Sequence, residues 1–153
     1  MRFPAWLISV VFLCSLSAGA QQVSLSDLSQ LTLRNAKAEV AIHRGSAALK
    51  LVPSNEKTNG GLLALFNGIR FRNGSIDVDV SGTPAKGADE SARGFIGVVF
   101  RAQSTSHFEI IYLRPTNSNA DDQLRRNHTT QYSSDPDWPW DRLRKESPGV
   151  YES

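Results

Sequence analysis

Cysteine is nearly absent from this chain. The one residue of its kind among 153, Cys14, stands inside an N-terminal stretch that reads as a leader. Arg2 gives a short positive start, Trp6 to Leu16 form an apolar run, and Ala18-Gly19-Ala20 supply an A-x-A cleavage pattern ahead of Gln21. The run falls short of the roughly 20 apolar residues that a membrane span needs. Residues 1–20 are therefore expected to be a signal peptide, with the mature protein secreted into a periplasmic or extracellular space. Leu13, before Cys14, is not the small residue that lipoprotein processing prefers. Once Cys14 is removed, neither disulfide nor thiol chemistry is available, and packing alone must hold the mature domain.

An excess of one charge is missing as well. Lys and Arg total 17 against 15 Asp and Glu, and Arg2 leaves with the leader, so the mature balance is 16 to 15. Such a balance gives no electrostatic basis for a nucleic-acid partner or an anionic membrane surface. Long helical periodicity is also lacking. Taking 20 residues from 153 leaves 133, enough for one domain with its own core. Residues 21–34 read as a linker or edge element, since Val23, Leu25, Leu28, Leu31 and Leu33 fit helix and strand alike. Ser26 or Asp27 can cap a short helix there.

What the chain does have is short β-runs punctuated by Gly, Asn and Ser. Glu39 to His43 and Ala47 to Val52 flank Arg44-Gly45-Ser46, a hairpin signal. Leu62 to Phe66 and Ile69 to Phe71 flank Asn67-Gly68, the strongest two-residue turn pair. Ile76, Val78 and Val80 alternate with Asp77 and Asp79, the signature of a half-exposed strand. Gly94 to Ala102 and His107 to Arg114 predict another hairpin, around Gln103 to Ser106. Residues 35–153 are thus expected to form one antiparallel β-sandwich, all-β in class. The polar stretch from Thr116 to Ser147, with Asp135-Pro136-Asp137-Trp138-Pro139-Trp140 at its centre, predicts an ordered loop packed over it.

Two stretches carry a family resemblance: Phe71-Arg72-Asn73-Gly74-Ser75-Ile76-Asp77-Val78-Asp79-Val80, of the form F-x-N-G-x-I-x-V-D-V, and Gly97-Val98-Val99-Phe100-Arg101, of the form G-x-x-F-R. Together they resemble the concanavalin A-like lectin/glucanase superfamily. Within it the chain looks most like secreted bacterial domains named for 3-keto-disaccharide hydrolase or glucanase-like activity. Glu109 to Asn117, Gln131-Tyr132 and Trp138 to Arg144 match a patterned insertion of those domains. The resemblance implies a jelly roll. It also implies incompleteness at the C-terminus, because Val150-Tyr151-Glu152 reads as the opening of a strand and the usual W-x-x-V-x-V and V-N-G segments do not follow. Uncovered sheet edges would then offer a route to association.

The same resemblance sets the chemistry to be expected. Glucanases of the superfamily carry E-I-D-I-E on one strand, whereas this chain reads Ser75-Ile76-Asp77-Val78-Asp79. Retaining hydrolysis needs two carboxyls about 5–5.5 Å apart, and here a hydroxyl stands at the nucleophile position, so catalysis has only Asp79, Glu109 and His107 as candidates. A second constellation comes from the hairpin: if Arg101 pairs with His107, Val99 faces Glu109, and Arg101, His107 and Glu109 share a polar side. Val98, Phe100, Phe108, Ile110 and Tyr112 then fill the core side. Sugars present apolar C–H patches beside hydroxyls, so aromatic planes with flanking polar groups suit them. Arg101, His107, Glu109, Tyr112, Arg114, Tyr132, Trp138, Trp140 and Arg142 are the expected ligand-binding residues.

No cofactor is expected. His43, His107 and His128 are scattered and no zinc-type spacing exists. Calcium is the one ion the side chains invite, through Asn117, Asp121, Asp122, Asp135 and Asp137, though no spacing singles out a site. The expected function is a secreted carbohydrate-binding module. The alternatives are a glycoside or keto-sugar hydrolase, or an adhesive domain with a protein partner.

Overall fold

The structure, a computed structural model, describes residues 21–55, 61–71 and 73–153; residues 1–20, the stretch expected to be a signal peptide, lie outside the described residues. The ambiguity of residues 21–34 is resolved by a cap. The Asp27 carboxylate accepts the backbone N–H of Ser29 at 3.1 Å and closes one 3₁₀ turn, Leu28–Gln30. The chain then extends into β1, Leu31–Arg34.

β2 (Ala36–His43) and β3 (Ser46–Pro53) form the expected hairpin in full register from Ala36↔Pro53 to His43↔Ser46. Its turn is Arg44-Gly45, with φ of +51° and +85°. Positive φ at both central residues is what a primed turn requires to match strand twist. β4 (Leu63–Phe66) departs from expectation. It ends at Asn67-Gly68, but residues 69–71 form no strand, and β4 pairs instead with β1, from Leu31↔Phe66 to Arg34↔Leu63. The Asn67 N–H bonds the Gln30 carbonyl at 2.7 Å, and its side-chain oxygen accepts the Thr32 hydroxyl at 2.8 Å. These bonds tie the turn to β1 and leave no local hairpin.

The largest sheet is antiparallel, in the order β5 (Ile96–Ser104), β6 (His107–Leu113), β7 (Thr130–Asp135). Gly97 permits its closest approach: a Cβ there would lie 2.3 Å from the Ile111 carbonyl oxygen and 2.6 Å from the Tyr112 Cα. Short helices α1 (Pro115–Ser118) and α2 (Gln123–Arg126) join β6 to β7, and α3 (Trp140–Glu146) follows. The stretch expected to be a loop therefore contains a strand of the sheet. Outside β7, Trp138 exchanges backbone hydrogen bonds with Ser134, and residues 151–153 pair with 130–132. The strand opening read at Val150 to Glu152 is thus taken up by β7.

The acidic alternation does not form a strand. Residues 73–81 have no strand assignment, Ile76, Val78 and Val80 are exposed, and no backbone hydrogen bond holds residues 75–81 among the described residues. Alternation prepares a strand for pairing but a neighbour must supply the ladder. Gly82 packs closely beside the lead-in to β5, where a Cβ would sit 2.8 Å from the Ile96 Cβ.

The described molecule is all-β in class, with antiparallel strands and short helices. Buried apolar side chains are Ala36, Leu63, Phe108 and Leu143. Arg34 links β1 to the main sheet, its guanidinium donating to the Thr105 carbonyl and lying 5.3 Å from the Phe108 ring centroid.

Candidate functional site

The β5–β6 register differs from the one expected. Phe100 stands opposite Glu109, Val99 opposite Ile110 and Gly97 opposite Tyr112; Ser104, not Arg101, faces His107. Residues 101–103 bulge out of the ladder, and Arg101 has φ +50°. A bulge inserts unpaired residues and shifts the faces on either side of it. Phe100 and Val98 consequently share a face with Glu109, while Val99 and Gly97 join Phe108, Ile110 and Tyr112. Arg101 reaches Glu109 all the same, because the bulge turns its side chain back over the strand.

Two registers fix what each face of the sheet carries. One face presents Glu109, Ile111, Tyr132 and Ser134 from the centre, with Tyr151 and Trp138 beside β7 through the Tyr132–Tyr151 and Ser134–Trp138 pairings. These make two rows: Ile111, Tyr132 and Tyr151, then Glu109, Ser134 and Trp138. Neighbouring strands lie about 4.8 Å apart, and the rows, two residues apart along each strand, lie about 7 Å apart. Ile111 (47 %), Trp138 (42 %) and Tyr151 (40 %) are all exposed, so this face is open.

Its polar edge is internally ordered. Arg101 Nη1 donates to both Glu109 oxygens at 3.0 and 3.1 Å, and the Tyr132 hydroxyl donates to Glu109 Oε2 at 2.9 Å. Partial burial pushes the Glu109 carboxyl up, but the hydrogen bonds from Arg101 and Tyr132 and the Arg101 charge outweigh it. The net position is below the usual carboxylate range. Burial and the bond to Glu109 in turn raise the Tyr132 phenol. The Tyr132 and Tyr151 rings lie 5.7 Å apart with 32° between planes. Arg142 covers one face of Trp138 at 3.9 Å, its Nε on Glu146 and its Nη1 on the Asp137 carbonyl.

The opposite face carries a buried polar cluster. Arg114 Nη2 donates to the Tyr112 hydroxyl at 3.2 Å and to Gln131 Oε1 at 3.0 Å, and its Nη1 to the His128 carbonyl at 3.1 Å. Gln131, 1 % exposed, donates to the Tyr132 and Tyr151 carbonyls. Glu152 accepts from Arg144 Nε at 2.9 Å and meets His128 Nδ1 at 2.9 Å, with Arg114 at 3.8 Å. The Arg144 hydrogen bonds hold the Glu152 carboxyl below its ordinary range against the opposing effect of burial, aided by the Arg144 and His128 charges. Burial raises the Tyr112 phenol against the Arg114 charge. Trp140 lies under Arg144 at 5.0 Å.

The expected binding set therefore divides. Arg101, Glu109, Tyr132, Trp138 and Arg142 belong to the open face; half-buried Tyr112 and buried Arg114 lie on the opposite face, and Trp140 stands with the cluster that holds them. His107 is exposed beside the turn and does not face Arg101. Asp79 lies apart on the unpaired segment, where Ile76 to Asp79 border an open depression of about 450 Å³. Ile111, Ser134 and Tyr151 are the platform residues that the sequence did not single out; for Tyr151 the signal was the strand pattern at 150–152. Among the described residues, no three His, Cys, Asp or Glu side chains converge as a metal-holding group. Of the calcium candidates, Asp122 instead caps α2, accepting the Leu124 N–H at 2.8 Å, and the Asn117 amide nitrogen donates to the His128 carbonyl at 2.8 Å.

No family model, curated protein or solved structure significantly matches this chain.

Proposed function

We propose that this protein is an exported carbohydrate-binding module of the concanavalin A-like jelly-roll type, and that a saccharide lies along the open face of the β5-β6-β7 sheet. The jelly roll is argued from the Gly97–Arg101 motif, which lies on β5, together with the antiparallel strand content; the described residues of the Phe71–Val80 motif lie on no strand and lend it no support. Export is argued from the leader pattern of residues 1–20. The observation that carries the binding reading is the two-row platform. Ile111, Tyr132 and Tyr151 make an apolar and aromatic floor, bordered by Glu109, Ser134 and Trp138.

The arrangement suits a sugar for a physical reason. Aromatic rings take the C–H faces of a pyranose, and fixed polar groups at their edge take its hydroxyls. Glu109 is anionic and held from two sides, so it accepts hydrogen bonds without reorganising. A carboxyl kept below its usual range is a poor general acid, which favours binding over glycoside hydrolysis at this site.

The test is a glycan array on the full chain, followed by calorimetry with the best neutral and acidic oligosaccharides. Tyr132→Ala and Trp138→Ala should each weaken binding tenfold or more, about 1.4 kcal/mol. Tyr112→Phe, on the opposite face, should leave affinity within about threefold. Folded variants that bind like the parent would remove the platform from the reading.

A further inference from the structure

Arg101 is built into the platform in an unusual way. It is an arginine in the left-handed region, φ +50°, at a bulge that breaks the β5–β6 ladder. Arginine gains nothing intrinsically from that conformation, and residues so held cluster at ligand clamps. Its side chain is 67 % exposed, yet both Glu109 oxygens and, through Glu109, the Tyr132 hydroxyl fix its direction. Only Nη1 is used in these bonds. The Nε and Nη2 edge makes no hydrogen bond among the described residues.

A guanidinium with one edge anchored and the other open is half of a bidentate fork. Two parallel N–H groups match the two oxygens of a carboxylate, and Lys could not present them. A second cation stands on the same face: Arg142, laid across Trp138 at the far end of the Glu109–Ser134–Trp138 row. Two inter-strand spacings separate the ends of that row, on the order of 10 Å. An acidic group on one sugar unit can meet Arg101 while its neighbours lie over the tyrosines toward Arg142.

Resting on the carbohydrate-binding reading above, we infer that the preferred ligands are carboxylate-bearing saccharides, uronate oligomers, with Arg101 reading the carboxylate through its Nε and Nη2 edge.

Calorimetry on the full chain should use trigalacturonate, its methyl ester, and a neutral and a sulfated trisaccharide. Masking the carboxylate as the ester should cost tenfold or more in affinity. Arg101→Ala should remove that preference: trigalacturonate binding should fall at least tenfold more than ester binding, which loses only the support that Arg101 gives Glu109. Arg101→Lys should recover only a small part, because a point charge lacks the fork. Equal binding of acid and ester by the parent would overturn the inference, as would equal losses for both in Arg101→Ala. Tighter binding of the sulfated sugar than of the uronate would also overturn it. If neutral sugars bind in a Trp138-dependent way and the acid gains nothing, only the uronate preference falls; if no saccharide binds, the module reading falls with it.

Discussion

Glu152 and Gln131 show how single side chains can replace hydrocarbon in this fold. Each occupies an interior position, and each is satisfied by directed bonds: Gln131 to Arg114 and to two carbonyls, Glu152 to Arg144 and His128. Removing the charge of Glu152 leaves Arg114, at 3.8 Å and 8 % side-chain exposure, without a buried counter-ion. Glu152→Gln should therefore destabilise the domain by about 3 kcal/mol in urea unfolding. The pH dependence has a definite sign. The folded-state carboxyl titrates below its unfolded value, so its stabilisation is complete above the unfolded carboxylate pKa. It is lost as pH falls through the lower folded value. Unfolding midpoints followed from pH 6 to pH 3 should drop for the parent and drop less for Glu152→Gln, and parallel curves would contradict this.

Among the elements, legibility followed turn chemistry and failed where pairing or polarity decided. The β2–β3 hairpin was readable because Arg44-Gly45 can adopt positive φ and the flanking runs are apolar enough to pair. β7 was hidden because its buried positions are Gln131 and Ser133, which look like loop residues until their hydrogen-bond partners are known. The segment from Ile76 to Val80 misled in the opposite sense, since its alternation is regular while no neighbouring strand meets it. The Arg101 bulge was invisible to alternation, and it moved Phe100 and Val98 to the open face while leaving Glu109 correctly placed. Half of the candidate platform was legible for that reason: Glu109, Tyr132 and Trp138 sit on strands or turns with fixed neighbours. Two predictions belong here. Gly97→Ala forces a Cβ into the Ile111 carbonyl and should cost about 1–3 kcal/mol, read as a lowered denaturation midpoint. In hydrogen exchange, amides 76–80 should exchange far faster than those of Ile110 and Tyr112 in β6. Slow exchange at 76–80 would show that the segment is paired.

At the scale of the whole molecule, the main sheet carries different chemistry on its two faces. One face is closed by the Arg114–Gln131–Glu152 network, which ties α1, β6, β7 and residues 151–152 together. The other is left open with rings and a held carboxylate upon it. These assignments are linked, because Gln131 and Tyr132 are adjacent on β7 and point to opposite sides. The clamp on one face thus positions Tyr151 on the other. The most direct test is a ¹⁵N-labelled amide titration of the full chain with the tightest-binding oligosaccharide from the array. Shifts confined to residues around 109–111, 132–134, 138 and 151, with the β2–β3 hairpin unmoved, are the predicted result; shifts centred elsewhere, or none across the panel, would contradict a saccharide platform on this face.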